Sequence, residues 1–588
     1  MSWLGKVVEF LHQGSLICGL VLEEKKDKLK ILTVNKKEIK TPASKILHSM
    51  TANFNLSLAK EDLVLKLQEI SMFREDLRKS IDLPLLWELL KEEDKEGGYT
   101  FSELKDIYFG GEEISPNEEA ALLREVFQNI IYFKRQKDLF IPQEEEVVQK
   151  IKASKEEEKK REEERKVIAS WLKALWEGSL DAPEKKEQLK QELPPESLRE
   201  KTISQLQEVV LGQASGKVQK NIYKILELAG IPKDEGPFEL LILLDIYQEN
   251  ENLELHIYNV PRFFNSAEIS ESQRIIQSFP QTLEEEKKKR PYDPQLYVFT
   301  IDEEKTEDRD DGLSLEVLEN DSYRVGIHIS DAAHFIEPHT LLDNTALERG
   351  TSLYLPDEII PMLPDELTKK VFSLDGQTEK LSLSLFLDVD SSGEILGYKI
   401  EERVIKIYES MSYDHAEKLI EEEDPRLLPL YQIASKLCKK RMENGAQDIF
   451  FPFLNIRVGE KGKVEIEKVV SLNRSHFLVS EFMIWANYYF GLHAHRHGIP
   501  GLYRSQSRPE NFSPLEENSY LGLYGVRRFL KRSELTPHPA SHFTLGLEAY
   551  LQATSPIRRY SDLVNQRQLK STLSNYYSYS EEDIHQTI

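Results

Sequence analysis

Two periodicities divide this chain. Up to about residue 55, and again after residue 296, apolar positions alternate with polar ones. Between those limits they mostly return every three or four residues. The first spacing belongs to strands and the second to helices. Lys6–Phe10, Leu16–Leu22 and Leu29–Val34, with a turn at Asn35-Lys36-Lys37, predict a small SH3-like β-barrel over residues 1–55. Residues 56–145 predict a winged-helix-like domain. Its helices are Ala59–Met72, Leu83–Leu90, Phe101–Phe109 and a fourth opened by Ser115-Pro116, followed by a β-wing at Phe133–Pro142. Thr100 and Glu103 have the spacing of a capping box, and Pro116 suits a first helical turn.

Residues 144–166 are almost wholly charged, with Glu and Lys/Arg recurring at four-residue spacing, so a solvated helical connector is expected over 146–180. Residues 181–290 predict a helical or mixed domain, with an apolar helix stopped by Gly230-Ile231-Pro232. Arg290-Pro291-Tyr292-Asp293-Pro294 marks a boundary. Beyond it, 291–588 predicts one large α+β domain. Its strands include Tyr323–Ile329, Leu381–Val389 and Ile395–Val404, and its helices His415–Glu421, Leu427–Arg441, Phe477–His495 and Glu548–Gln552. The fold class is therefore a multidomain α+β protein.

Composition narrows the classes. A chain of 588 residues exceeds one hydrophobic core. A formal net charge of −25 argues against nucleic-acid binding over the whole surface, but not against a locally basic channel. No apolar run is long enough to span a membrane, and the N-terminus lacks the pattern of a signal peptide. Two cysteines, Cys18 and Cys438, cannot build a disulfide framework or a zinc site. A cytoplasmic monomer is expected.

The chemistry concentrates at Leu296–Leu315. An apolar run ends in Asp302, and Asp308, Asp310 and Asp311 follow before a second alternating stretch. Four aspartates within ten positions repel one another unless a cation offsets them. The ligand order of a calcium-binding EF-hand loop is not met, because Arg309 and Leu318 fall where ligands would be needed. An acidic surface turn is the bland alternative, but the acids directly follow a strand that reads as buried. A magnesium site is expected, with Mn2+ as an alternative. Basic residues gather elsewhere: Gly491–Arg508 contains Arg496, Arg504, Arg508 and three histidines with no acid, and Arg527, Arg528, Lys531 and Arg532 form a second run. Such patches bind nucleic-acid backbones without reading sequence.

Thr300-Ile301-Asp302, five residues, then Asp308-Arg309-Asp310-Asp311-Gly312-Leu313 resembles the signature of the ribonuclease II/R superfamily, the RNB-type 3′→5′ exoribonucleases. Further blocks resemble the family in the same order: His328–Ala332, Arg349–Pro356 with Ile360–Pro364, Arg441–Ala446, Glu481–Asn487, and His542–Leu569, which contains Thr554-Ser555-Pro556-Ile557-Arg558-Arg559-Tyr560.

The resemblance implies roles. Asp302, Asp308, Asp310 and Asp311 would organise the metal, with Asp310 the most critical. Arg558 would hold the scissile phosphate, with Arg559 beside it. Tyr354 would hold the 3′-terminal nucleotide, and Glu481 would read the terminal ribose or base. Lys380, where many members carry arginine, and Arg504 complete the expected RNA contacts. The implied activity is magnesium-dependent hydrolysis of single-stranded RNA from its 3′ end to nucleoside 5′-monophosphates, by two metal ions. The alternative is an RNA-binding regulatory protein with a weakly active or inactive RNB fold. Family members usually end in a small oligonucleotide-binding barrel. Fewer than twenty residues follow Leu569 here, so that barrel is expected to be absent or truncated.

Overall fold

The computed structural model describes residues 2–51, 54–92, 97–181, 194–319, 322–447, 449, 451–459, 463–469, 471, 473–510, 527–574 and 576–587. The chain forms two compact units, Met1–Glu254 and Leu255–Ile588.

The first unit opens with five antiparallel strands, β1 (Lys6–His12), β2 (Ser15–Lys25), β3 (Lys28–Thr33), β4 (Glu38–Pro42) and β5 (Ile46–Thr51). Their order in one sheet is β4-β3-β2-β1-β5. The expected β-rich module is present as this five-stranded sheet. Its buried face, Val7, Leu20 and Leu32, packs on Leu63, Val64 and Leu67 of α1 (Lys60–Arg78). Helices α2 (Leu83–Leu90), α3 (Phe101–Phe109) and α4 (Pro116–Gln128) follow. The Thr100–Glu103 capping box forms, as does a second at Ser115–Glu118 with Pro116 in the first turn. Strands β6 (Tyr99–Thr100), β7 (Phe133–Gln136) and β8 (Leu139–Pro142) make a three-stranded sheet in the order β6-β8-β7. Helices backed by such a wing fit the winged-helix expectation.

The charged stretch forms one long helix, α5 (Glu145–Asp181). It is more than a solvated connector. Its C-terminal half buries Ile168, Trp171, Leu172 and Leu175. These pack with α6 (Glu196–Val210), α7 (Gly216–Ala229) and α8 (Gly236–Leu243) around one core. The charged N-terminal half hid an amphipathic C-terminal half. Residues 182–193, at the start of the segment expected at 181–290, lie outside the described residues.

The second unit is built on a closed barrel. Its strands are β9 (Val298–Asp302), β10 (Asp311–Val317), β11 (Tyr323–Ser330), β14 (Glu379–Val389) and β15 (Ile395–Ser412), in the closed order β10-β11-β14-β15-β9. A short hairpin, β12 (Leu353–Tyr354) with β13 (Ile359–Ile360), lies between β11 and β14 in the chain. All neighbours in the barrel are antiparallel except β9 with β15, which run parallel. That one pairing sets Asp302 opposite Ser412. Helices α9 (Ser266–Glu286), α10 (Leu341–Arg349), α11 (Tyr413–Glu421), α12 (Leu427–Glu443), α13 (Arg474–Arg496) and α14 (Tyr560–Ser571) belong to the same unit. Leu478, Phe482, Ala486 and Phe490 of α13 join the barrel's core. The helix expected at Glu548–Gln552 does not form. That stretch is irregular, bridged by Leu551 to Tyr503, and Ala549, Tyr550 and Leu551 are buried as extended chain rather than as one helical face.

Candidate active site

The acidic residues occupy one end of the barrel because of where the strands stop. Asp302 closes β9 and Asp311 opens β10, and these strands are neighbours. The connecting loop is pinned by its backbone: Ser330 N–H donates to Asp310 O (2.8 Å), Arg309 N–H to Ser373 Oγ (3.1 Å), and Leu374 N–H to Arg309 O (2.9 Å). Gly312 fits its place closely. A Cβ there would stand 3.2 Å from the Phe299 carbonyl oxygen.

Asp310 is buried at 3% exposure, and both its oxygens are used. Oδ1 accepts from Ile557 N–H (3.0 Å) and Oδ2 from Arg558 Nε (2.8 Å). The acidic loop and the basic block therefore meet, as the resemblance required, across 248 positions of chain. Burial still pushes the Asp310 carboxyl up to about 7, against the pull of Arg558 and Ile557. Burial and then Asp311 push Asp302 up to about 8, with Arg309 opposing. Burial raises Asp311 to about 6, opposed by Arg558 and Arg559. The Tyr354 hydroxyl donates to Asp308 Oδ2. Its ring is 48% exposed on the hairpin.

Arg558 is aimed by the turn before α14. Its Nη2 donates to Ser555 Oγ (3.1 Å), and its carbonyl accepts from Ser352 N–H and Thr351 Oγ1 (2.9 Å each). Asp562, fully buried, ties the turn by accepting from Ser555 N–H (3.0 Å) and Arg559 Nη2 (2.7 Å). Helix α14 is polar yet buried. Gln566 bonds Ser330 O (2.7 Å) and Ala333 N–H (3.0 Å), which joins the Arg558 turn to the strand that pins Asp310.

The structure places the other residues expected to contact RNA as follows. Glu481 is 1% exposed, and its carboxylate is taken by Arg441 (2.8 and 2.5 Å) and Trp485 Nε1 (2.8 Å), so it presents nothing to a ribose. Lys380 is 3% exposed, its ammonium bonded to the carbonyls of Lys370 (2.8 Å) and Val371 (3.2 Å), so it does not face RNA. Arg559 spends one guanidinium nitrogen on Asp562. Arg504 lies on β16 (Tyr503–Ser505) and donates to Ser533 Oγ at 3.3 Å.

One neighbour of the site went unread. Tyr413 follows Ser412, and Asp311, Asp302 and Glu303 add to burial in raising its hydroxyl. Its ring stacks on His476, with centroids 3.6 Å apart. Only the parallel β9–β15 pairing reveals it, and sequence alternation does not show which strands pair.

Among the described residues, no group of three or more His, Cys, Asp or Glu is gathered as a metal site. The donor chemistry nevertheless fits a hard divalent ion. All donors are carboxylate oxygens, and among the described residues Asp302 has only Arg309, at 3.9 Å, as an ion-pair partner.

The profile described as RNB domain matches residues 294–575, and the one described as Double HTH domain matches 148–253. Residues 294–575 carry the RNB domain of the ribonuclease II/R superfamily. The HTH match falls on α5–α8, the helical region expected as a connector and a mixed domain. An uncharacterized ribonuclease of Synechocystis sp. is 28% identical over 97% of this chain and 82% of its own length. Ribonuclease R of Aquifex aeolicus is 30% identical over 60% of this chain and 54% of its own. The chain thus spans about half of that relative. In fold, the Dss1 exoribonuclease of Candida glabrata superposes with a TM-score of 0.57 at 17% identity, covering 99% of this chain and 86% of that one. RNase R of Mycoplasma genitalium, in complex with ribose methylated single-stranded RNA, gives 0.52 at 21% identity over 57% and 58%.

Proposed function

We propose that this RNB protein is a hydrolytic 3′→5′ exoribonuclease, which degrades single-stranded RNA to nucleoside 5′-monophosphates. The observation that carries the reading is Asp310 held by Arg558 at 2.8 Å inside a surplus of acids. Asp302, Asp308 and Asp311 would hold Mg2+, or Mn2+ in its place, and Asp310 would orient Arg558. When bound, the metal would activate water and neutralise charge on the phosphate. The Arg558 guanidinium offers a planar fork to the scissile phosphate. The half-exposed Tyr354 can stack on a terminal base without reading its identity. Its bond to Asp308 links the nucleotide's seat to the acids. The basic runs at Arg504 and at Arg527–Arg532 would guide the RNA backbone. The N-terminal sheet, as a small barrel, and the wing would dock or cover RNA. No described helix is long and apolar enough to cross a membrane.

The test is digestion of a 5′-labelled oligoribonucleotide in Mg2+. A ladder shortening from the 3′ end, lost in Asp310→Asn, is expected, with 5′-monophosphates as products. An unchanged ladder in the variant contradicts the reading. A second reading, an RNA-binding protein with little catalysis, rests on one fact: among the described residues, no group of three or more His, Cys, Asp or Glu is gathered as a metal site. RNA retention without shortening in either metal would select it.

A further inference from the structure

The burial of Lys380 poses a question. Among the described residues no carboxylate lies within ion-pair reach of this buried cation, and it sits next to the acidic loop in the fold, not in the sequence. Burial lowers its ammonium to about 8. A charge is retained at such a site only where its hydrogen bonds matter. Its Nζ donates to the carbonyls of Lys370 and Val371, and stands 5.4 Å from the Phe279 ring. Those carbonyls end a short π-helical turn, Thr368–Phe372. Such wide turns are rare and leave carbonyls without helical partners.

The bonds that hold the backbone of Arg309 and Asp310 lead to the end of that turn. Phe372 O accepts from Ser330 Oγ (2.8 Å), and Ser330 N–H holds Asp310 O (2.8 Å). Ser373 Oγ accepts from Arg309 N–H (3.1 Å), and Leu374 N–H donates to Arg309 O (2.9 Å). Three successive residues, all buried, thus grip Arg309 and Asp310.

We infer that Lys380 is a positioning residue. By capping the π-turn it fixes the loop that aims Asp310 at Arg558, and it acts without touching RNA. The inference rests on the proposed activity for its kinetic arm, but not for its structural arm.

The structural arm is hydrogen–deuterium exchange of the wild-type protein, Lys380→Met, Lys380→Arg and Ser373→Ala, without RNA or metal. Lys380→Met removes both carbonyl bonds. It is expected to speed exchange at the Ser330, Arg309 and Leu374 amides at least tenfold, with the N-terminal sheet unchanged. Lys380→Arg keeps donors on both carbonyls and is expected to stay within about threefold of wild type. Ser373→Ala breaks one link below Lys380 and is expected to speed exchange at Arg309 by a smaller factor. It also keeps the test informative if Lys380→Met fails to fold. The kinetic arm expects kcat on single-stranded RNA to fall at least tenfold in Lys380→Met, with KM within twofold and rescue by Lys380→Arg. Unchanged exchange at those amides in both Lys380→Met and Ser373→Ala overturns the inference, as does a rise in KM with kcat intact. If wild type shows no RNase activity, the proposed function fails while the exchange result still decides the role of Lys380.

Discussion

Asp310 and Asp331 are buried aspartates of the same unit, 3% and 1% exposed, at the same end of the β10–β11 pair. Their surroundings push them in opposite directions. Asp331 meets two cations, Lys570 (2.6 and 2.7 Å) and Arg290 (2.7 Å), and despite burial its carboxyl is held well below the usual carboxylate range. Asp310 meets one cation, Arg558, and burial raises it to about 7. Burial alone therefore does not mark a site. The balance of charge does. Around Asp331, Lys570 and Arg290 are matched further by Glu402 and Glu286, and the network closes on itself. Around Asp310 the acids exceed the bases, which leaves room for a cation from outside.

The largest expected effect breaks this contrast at the surplus side. Asp310→Asn should lower RNA hydrolysis by about 10²–10³-fold or more, as removal of a transition-state electrostatic partner does. Circular-dichroism melting should show a fold no less stable than wild type. Asp331→Asn should do the reverse. Leaving Lys570 and Arg290 buried without their anion should cost about 3–5 kcal/mol in urea unfolding.

A pH titration sharpens the balanced side. His328 is fully buried between Ser314 Oγ (2.9 Å) and Ser384 Oγ (2.8 Å), and burial lowers its imidazole to about 3. The unfolded chain takes up this proton near pH 6.5 and the folded one does not. Stability from this group is thus complete above pH 6.5 and is lost as pH falls toward 3, at up to roughly 1.4 kcal/mol per pH unit. His328→Gln should flatten urea-measured stability between pH 6 and 4. An unchanged slope would remove His328 from the account. The smallest effect concerns the basic runs. Arg504→Gln should weaken RNA binding only a few fold and reduce the salt dependence of log K by about one unit at most, as read by fluorescence anisotropy.

Much of the site was readable before the structure, because its chemistry is local. Asp302 through Asp311 crowd ten positions, and Arg558 follows a proline that constrains its turn. The meeting of the two was an inference from family order, and the 2.8 Å bond supports it. What stayed hidden was non-local. A charged residue in a sequence reads as exposed. The partner that buries Glu481 lies 40 positions earlier, and Lys380 is satisfied by backbone carbonyls, which have no sequence signature. Tyr413 joined the acids only through a parallel strand pairing. The barrel's closure has the same origin, since period-two alternation shows that strands exist but not their order. In the first unit, the fully charged run before Val167 masked an apolar face on the next three turns of the same helix.

The surplus of acid is tested most directly by binding Mg2+ without RNA, by isothermal titration calorimetry at neutral pH on wild type, Asp302→Asn with Asp311→Asn, and Arg504→Gln as a remote control. The charge balance predicts that wild type and the control bind Mg2+ alike, and that the double variant loses binding while melting at or above the wild-type temperature. Equal Mg2+ binding by the double variant, or none by wild type, would contradict it.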